Sequence, residues 1–165
     1  MVKFMIKGQK DSVTPKQGFI LKYKGTCDIK KLYKSSKDWF AKNNYKFSEK
    51  EFKEKWGPTG TEFKIHLEGE RYVDEYLSFN IKIVFFIIDA KKINEKYKAN
   101  VHVTANAHLL LDRKNKWQGN SIKSFLFFIY NNFIIKNKIE NVYEDKLYAE
   151  LMELINNIKQ HIKLY

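Results

Sequence analysis

From Ser121 to Tyr165 the chain carries neither glycine nor proline, and apolar residues recur at helical spacing to its end. An unbroken helix of that length would run roughly 67 Å at 1.5 Å per residue, far wider than a domain built from 165 residues, so the stretch has to break. The polar run Lys136, Asn137, Lys138, Ile139, Glu140, Asn141 is the expected place, because asparagine is poor inside a helix and readily caps one. In the first half, Ile122, Phe125, Leu126, Ile129 and Phe133 fall on one narrow arc at about 100° per residue, which makes them the expected core face. Phe127 with Ile134, and Phe128 with Ile135, point to other sides, so this segment needs cover from more than one direction. In the second half, Leu147, Leu151, Leu154, Ile155, Ile158 and Ile162 form one face, with Glu150, Glu153, Lys159 and Lys163 outside it. The last helix is expected to fold back onto Phe127 and Ile134, or else to project and pair with a second copy of the chain.

The residues before this stretch read mainly as a sheet. Met1 to Lys7 alternates weakly, as an edge strand would, and Gly8 to Gln17 reads as a loop. Phe19 to Tyr23 is strand-like and closes at Gly25. Asp28 then stands where an N-cap belongs, ahead of a helix to about Asn43 whose buried arc is Ile29, Leu32, Tyr33, Ser36, Trp39 and Phe40. Tyr45 and Phe47 open a strand that Phe52 and Trp56 continue in the opposite parity, which calls for a bulge near Ser48 to Lys50. Gly57, Pro58, Thr59 and Gly60 make a turn, and Phe63, Ile65 and Leu67 face one side of the strand that follows. Leu77 to Ile87 is the strongest period-2 run, Asp89 to Asn100 a charged loop, and Val101 to Leu111 a strand with the small Ala105 and Ala107 on its inner face. Asp112 to Asn120 is a polar turn that ends in a cap at Asn120 or Ser121. The fold class expected is therefore α+β: an antiparallel sheet packed on one face by an N-terminal helix and a long, broken C-terminal helical segment. The whole chain, 1–165, is expected to be a single domain, with a sheet-and-helix core at 17–137 and an amphipathic helix at 138–165.

Charge is the loudest number in the composition, at +12 with a pI of about 9.6. Residues 1–56 hold 15 Lys against 6 Asp and Glu, a balance of +9, while 57–111 balance at 0 and 112–165 at +3. Lys30, Lys31, Lys34, Lys37 and Lys42 share the polar face of the first helix and form a candidate nucleic-acid stripe. Only Arg71 and Arg113 are arginine, so the stripe offers attraction without the forked geometry that reads bases, and it equally suits a solvated helix face in a chain from an AT-rich genome. Cys27 is the only cysteine, which excludes a disulfide framework and points to a reducing, cytoplasmic location. Lysines interrupt any signal-peptide core at the N-terminus, and the uncharged run of the helical stretch, Ser124 to Ile135, falls below the roughly 18 residues a membrane span needs.

No catalytic motif rises above background, and neither a cofactor nor a metal is expected. His102, Thr104, Asn106 and His108 line one face of a strand, but the two histidines stand about 20 Å apart and cannot share an ion. Cys27 sits at a helix start, where the dipole would lower its pKa and the adjacent Asp28 would oppose that, so it reads as a structural residue. Aromatic residues make up 16% of the chain, which leaves material for a cavity or an apolar surface between the sheet and the C-terminal helices. Its candidate residues are Phe86, Ala105, Ala107, Phe127, Phe128 and Ile134.

The order strand, helix, antiparallel strands, long C-terminal helix over about Gly18 to Asn137 resembles the START-like or helix-grip superfamily. That resemblance implies a curved sheet wrapped on a C-terminal helix, often around an apolar ligand. The family's second helix and extra strands are reduced here, which leaves less room for a large cavity. The tract from Tyr33 through Trp56, Gly57 and Pro58 to the C-terminal tyrosines also looks like an uncharacterised archaeal α+β family with no activity attached. The expectation is a non-enzymatic binding or interaction module that takes an apolar small molecule or a second copy of itself. The alternative is a basic RNA- or ribosome-associated protein using the lysine stripe.

Overall fold

A computed structural model describes residues 10–114, 116–117 and 119–163. The edge strand expected at Met1 to Lys7 lies outside the described residues. Six strands form one antiparallel sheet: β1 (Lys10–Ser12), β2 (Phe19–Cys27), β3 (Lys46–Gly57), β4 (Gly60–Tyr72), β5 (Leu77–Ile93) and β6 (Lys96–Leu111). The order runs β1-β6-β5-β4-β3, with β2 sharing the β6 edge with β1. Helix α1 (Ile29–Lys42) connects β2 to β3. After β6 the chain is helical almost without interruption: α2 (Ser121–Ile129), a π-helical turn (Tyr130–Ile134), the single turn α3 (Lys136–Lys138), a second π-helical stretch (Ile139–Glu144) and α4 (Asp145–Lys163). The class is α+β, with the sheet covered by an N-terminal helix and by the C-terminal helical segment.

Alternation explains the sheet's inner face. Phe79, Ile81, Ile83, Phe85 and Ile87 of β5 are fully buried, beside Val101, Val103, Ala105, Ala107, Leu109 and Leu111 of β6 and Phe63, Ile65 and Leu67 of β4. On α1 the buried residues are Ile29, Leu32, Ser36, Trp39 and Phe40, and Asp28 caps the helix by accepting the Lys31 amide at 3.0 Å. The bulge falls between Glu49 and Glu51, as the parity switch requires. It returns Phe47 and Phe52 to one face, where both meet the Tyr33 ring edge-on, at 6.3 and 6.5 Å between centroids. Phe40 presses onto β4 at Gly69, where any Cβ would run into its ring.

Three sequence expectations need correction. First, the charged segment 89–100 is no loop, because β5 and β6 continue through it to a tight turn at Asn94, whose φ is 57°. A bulge between Ile88 and Lys91 bends this extension, and because the residues it buries include the small Ala90 and Ala99 while Lys91, Lys92, Ile93 and Lys98 are exposed, it lacks the apolar alternation by which strands are recognised. Likewise Lys10–Ser12 within the expected N-terminal loop pairs with Leu110 to His108. Second, the break in the C-terminal stretch comes at Ile135 (φ −103°, ψ −9°), just ahead of the polar run, which itself stays helical. Third, the sheet is covered by α4 and not by the segment 121–136. Leu147, Leu151, Leu154, Ile155, Ile158 and Ile162 are all buried in the core with α1 and the inner face.

A three-way polar contact fixes α4 on that face. Glu150 accepts from the Arg71 guanidinium at 2.8 Å and from the Tyr45 hydroxyl at 2.5 Å, while Arg71 also donates to the Asn43 carbonyl at 3.0 Å and lies over the Tyr45 and Phe79 rings. Burial, and then the carboxylate beside it, pushes the Tyr45 hydroxyl far above its ordinary pKa, so it stays a hydrogen-bond donor. Close by, the Trp39 indole donates to Glu153 at 3.1 Å.

Candidate functional site: the outward face of the first C-terminal helix

With the sheet closed by α4, α2 has no sheet left to cover. Asn120 opens α2 as a cap, accepting the Lys123 amide at 2.8 Å. The helix then lies against the two connections at one end of the sheet, the turn between β4 and β5 and the segment following β6. Tyr76 donates its hydroxyl to Asn131, and its ring meets Phe127 and Tyr130 at 6.3 and 5.4 Å between centroids. Trp117 stacks on Tyr130 at 5.6 Å. Asp112, itself buried, holds the Trp117 segment by accepting the Lys116 amide at 2.9 Å. Asp74 shapes the other connection, accepting the Tyr76 and Leu77 amides, each at 2.8 Å. Asn131 passes the support on, donating to the Phe127 carbonyl at 2.9 Å. Glu75 bridges the two connections through Lys114 and Lys116, and those ammonium groups hold its carboxyl down at about 2.

This anchoring buries Phe127 and turns the expected core arc outward. Ile122 is 70% exposed, Phe125 61%, Leu126 46% and Phe133 76%, and Ile134 joins them at 68%. Elsewhere the exposed large apolar residues, such as Ile20, Trp56 and Ile93, are scattered over separate strands, which is ordinary for a protein surface. Ile122, Phe125 and Leu126 of α2 and Phe133 and Ile134 of the π-helical turn that continues it instead all lie on one helical stretch, and an uncovered apolar ridge of this kind is uncommon in monomers without a use for it. The surroundings are basic: residues 113–139 contain Arg113, Lys114, Lys116, Lys123, Lys136 and Lys138 and no Asp or Glu. All six are exposed.

The six residues expected to share an apolar site are dispersed. Ala105 and Ala107 lie on the inner face of β6, whereas Phe86 lies on the outer face of β5 opposite His102. Phe127 packs under Tyr76, Phe128 meets Phe133 edge-on at 6.5 Å, and Ile134 is on the open ridge. The last helix does not fold back on Phe127 and Ile134, because its own apolar face is consumed by the sheet. Ala105 does line a cavity of about 150 Å³ with Phe19, Leu21, Val103, Met152, Ile155 and Ile158, between β2, β6 and α4. Functional clefts usually enclose about 300–1,000 Å³.

On α1, Lys31, Lys34 and Lys42 line a groove of about 390 Å³ facing α4, with Asp38, Glu153 and His161 on its walls. Lys37 instead sits over the Phe47 ring at 5.8 Å, and Lys30 is exposed outside the groove. Cys27 is buried, and its thiol is pushed up to about 11, by burial first and by the Asp28 carboxylate second. His102, Thr104, Asn106 and His108 lie along the half-exposed outer face of β6, and among the described residues no three His, Cys, Asp or Glu side chains come together as metal ligands.

Sequence reasoning identified the α2 arc as a set but missed its support, Tyr76, Trp117 and Asn131. One signal was available: Asn131 and Asn132 interrupt an otherwise apolar helix, and a polar side chain in such a place must find a partner when covered. No family model, curated protein or solved structure matches the chain, so its function is argued from this geometry.

Proposed function

We propose that this protein is a non-enzymatic interaction module that works through the outward apolar face of α2. The observation that carries the reading is the exposure of Ile122, Phe125, Leu126, Phe133 and Ile134 together on a helix whose opposite side is held by Tyr76, Trp117 and Asn131. A surface in that arrangement binds by being covered, whereas the cavity beside Ala105, at about 150 Å³, falls below the usual size of a ligand cleft. Binding of a dye specific for exposed apolar surface to the folded, full-length protein tests this. The wild-type protein is expected to bind the dye and the double variant Phe125→Ser/Phe133→Ser to lose most of that binding with an unchanged melting temperature. A wild-type protein that leaves the dye free would mean that its own chain already covers the ridge.

A second reading, RNA or ribosome association through the lysines of α1, draws support from the groove that Lys31, Lys34 and Lys42 share with α4. Binding of that kind would tolerate sequence and fade steeply with salt, because lysine supplies charge without base-reading geometry. Substituting Lys31, Lys34 and Lys42 by Gln together is expected to weaken binding to single-stranded RNA at low salt at least tenfold, roughly one decade. Affinity that is the same at low and high salt would contradict it.

A further inference from the structure

We propose that the occupant of the α2 ridge is the surface of an anionic lipid bilayer, on which the helix lies with its axis in the plane of the interface. The proposal rests on the reading of α2 as a docking face and adds the chemistry of what it docks on. Two properties of the ridge select lipid. First, the side chains that protrude from it are large and apolar, Phe125 and Phe133 foremost, and from Ser124 to Ile135 the segment carries no charge. Those 12 residues extend about 18 Å at 1.5 Å per residue, and no helix of the described residues is long and apolar enough to cross a membrane. A short helix with one apolar face of this kind settles at the boundary between headgroups and acyl chains.

Second, the charge around the ridge is predominantly positive. Lys123 precedes the uncharged run, and Lys136 and Lys138 follow it, all exposed. Of the six positive charges between Arg113 and Lys138, Lys114 and Lys116 pair with Glu75, Lys136 with Glu140, and Lys138 lies over the Tyr143 ring near Asp74, so Glu75, Glu140, Asp74 and Asp112 offset part of the charge and the balance stays positive. A second copy of the chain, docked ridge to ridge, would bring two sets of lysines face to face with no carboxylate on either ridge to receive them. An anionic headgroup layer supplies negative charge along the whole length of the helix, while its acyl region accepts the phenyl rings between.

The test is flotation of the full-length protein with large vesicles of phosphatidylcholine alone or with about 30 mol % phosphatidylserine, at ~0.1 M and ~0.5 M NaCl. The expected result is at least roughly tenfold stronger binding to the anionic vesicles, most of it lost at the higher salt. Phe125→Ser/Phe133→Ser should abolish binding to both compositions. Lys123→Gln/Lys136→Gln should remove the preference for phosphatidylserine. These side chains are exposed, so both variants should melt with the wild type. Failure of the wild-type protein to float with anionic vesicles would overturn the lipid proposal. If the dye still binds in that case, the docking face stands; a doubled mass in light scattering, lost in the phenylalanine variant, would assign it to a second copy. If the dye does not bind either, the docking face falls with the lipid. Flotation that survives the phenylalanine substitutions would also overturn the proposal, because charge elsewhere on the molecule would then be responsible.

Discussion

Cys27 shows how position decides the chemistry of a side chain. It stands at the start of a helix, where a thiolate would be favoured, yet burial and the neighbouring Asp28 carboxylate both oppose the charge and raise its pKa to about 11. At pH 8 only about one thiol in a thousand is then ionised in the folded protein. A thiol-specific reagent at that pH should label native Cys27 roughly a hundredfold more slowly than the urea-unfolded chain. Comparable rates would show that the β2 end opens readily. Glu75 is the opposite case, an exposed carboxyl held down at about 2 by hydrogen bonds from Lys114 and Lys116. Its folded value lies below the unfolded one, so whatever it contributes is present at neutral pH and is lost as pH falls from the ordinary carboxylate range toward 2. A carboxyl titration by NMR should show its midpoint well below the ordinary carboxylate range at low salt and moving up toward that range in ~0.5 M NaCl, since exposed pairs are screened. An ordinary midpoint at low salt would mean that the bridge between the two connections does not persist.

At the scale of elements, the C-terminal segment holds two apolar arcs and the sheet offers one open area. The periodicity of 121–134 and of 147–162 was readable, as were α1 with its Asp28 cap and the bulge that returns Phe47 and Phe52 beneath Tyr33. Which arc takes the sheet was not, because periodicity says which residues share a face and not what that face meets. The deciding contacts are long-range: Arg71 and Tyr45 receive Glu150 only when α4 is the cover. Glu150→Ala would leave the Arg71 guanidinium, 18% exposed, without its carboxylate and the Tyr45 hydroxyl without an acceptor. A loss of about 2–3 kcal/mol is expected, below that of a fully buried pair because both partners keep some solvent. Glu150→Gln, which keeps an acceptor, should cost less. Chemical denaturation checks both, and a neutral Glu150→Ala would mean that packing alone positions α4.

Across the whole molecule, the strands of 17 and 16 residues in β5 and β6 carry the sheet to the turn at Asn94 at one end, while α2 lies at the other, against the connections at Tyr76 and Trp117. The candidate site therefore lies on the periphery, attached through connections and not through the core. That is why sequence patterning gave its residues and not their orientation: an apolar arc looks the same whether the chain's own sheet or another body covers it. Denaturant unfolding of two single variants separates the alternatives. Leu154→Ala, in the fully buried face of α4, is expected to lose about 2–5 kcal/mol. Phe125→Ser, on the open ridge of α2, should stay within about 0.5 kcal/mol of wild type, the two residues being similar in helix propensity. Comparable losses in both would place the α2 arc in the core and contradict an outward docking face.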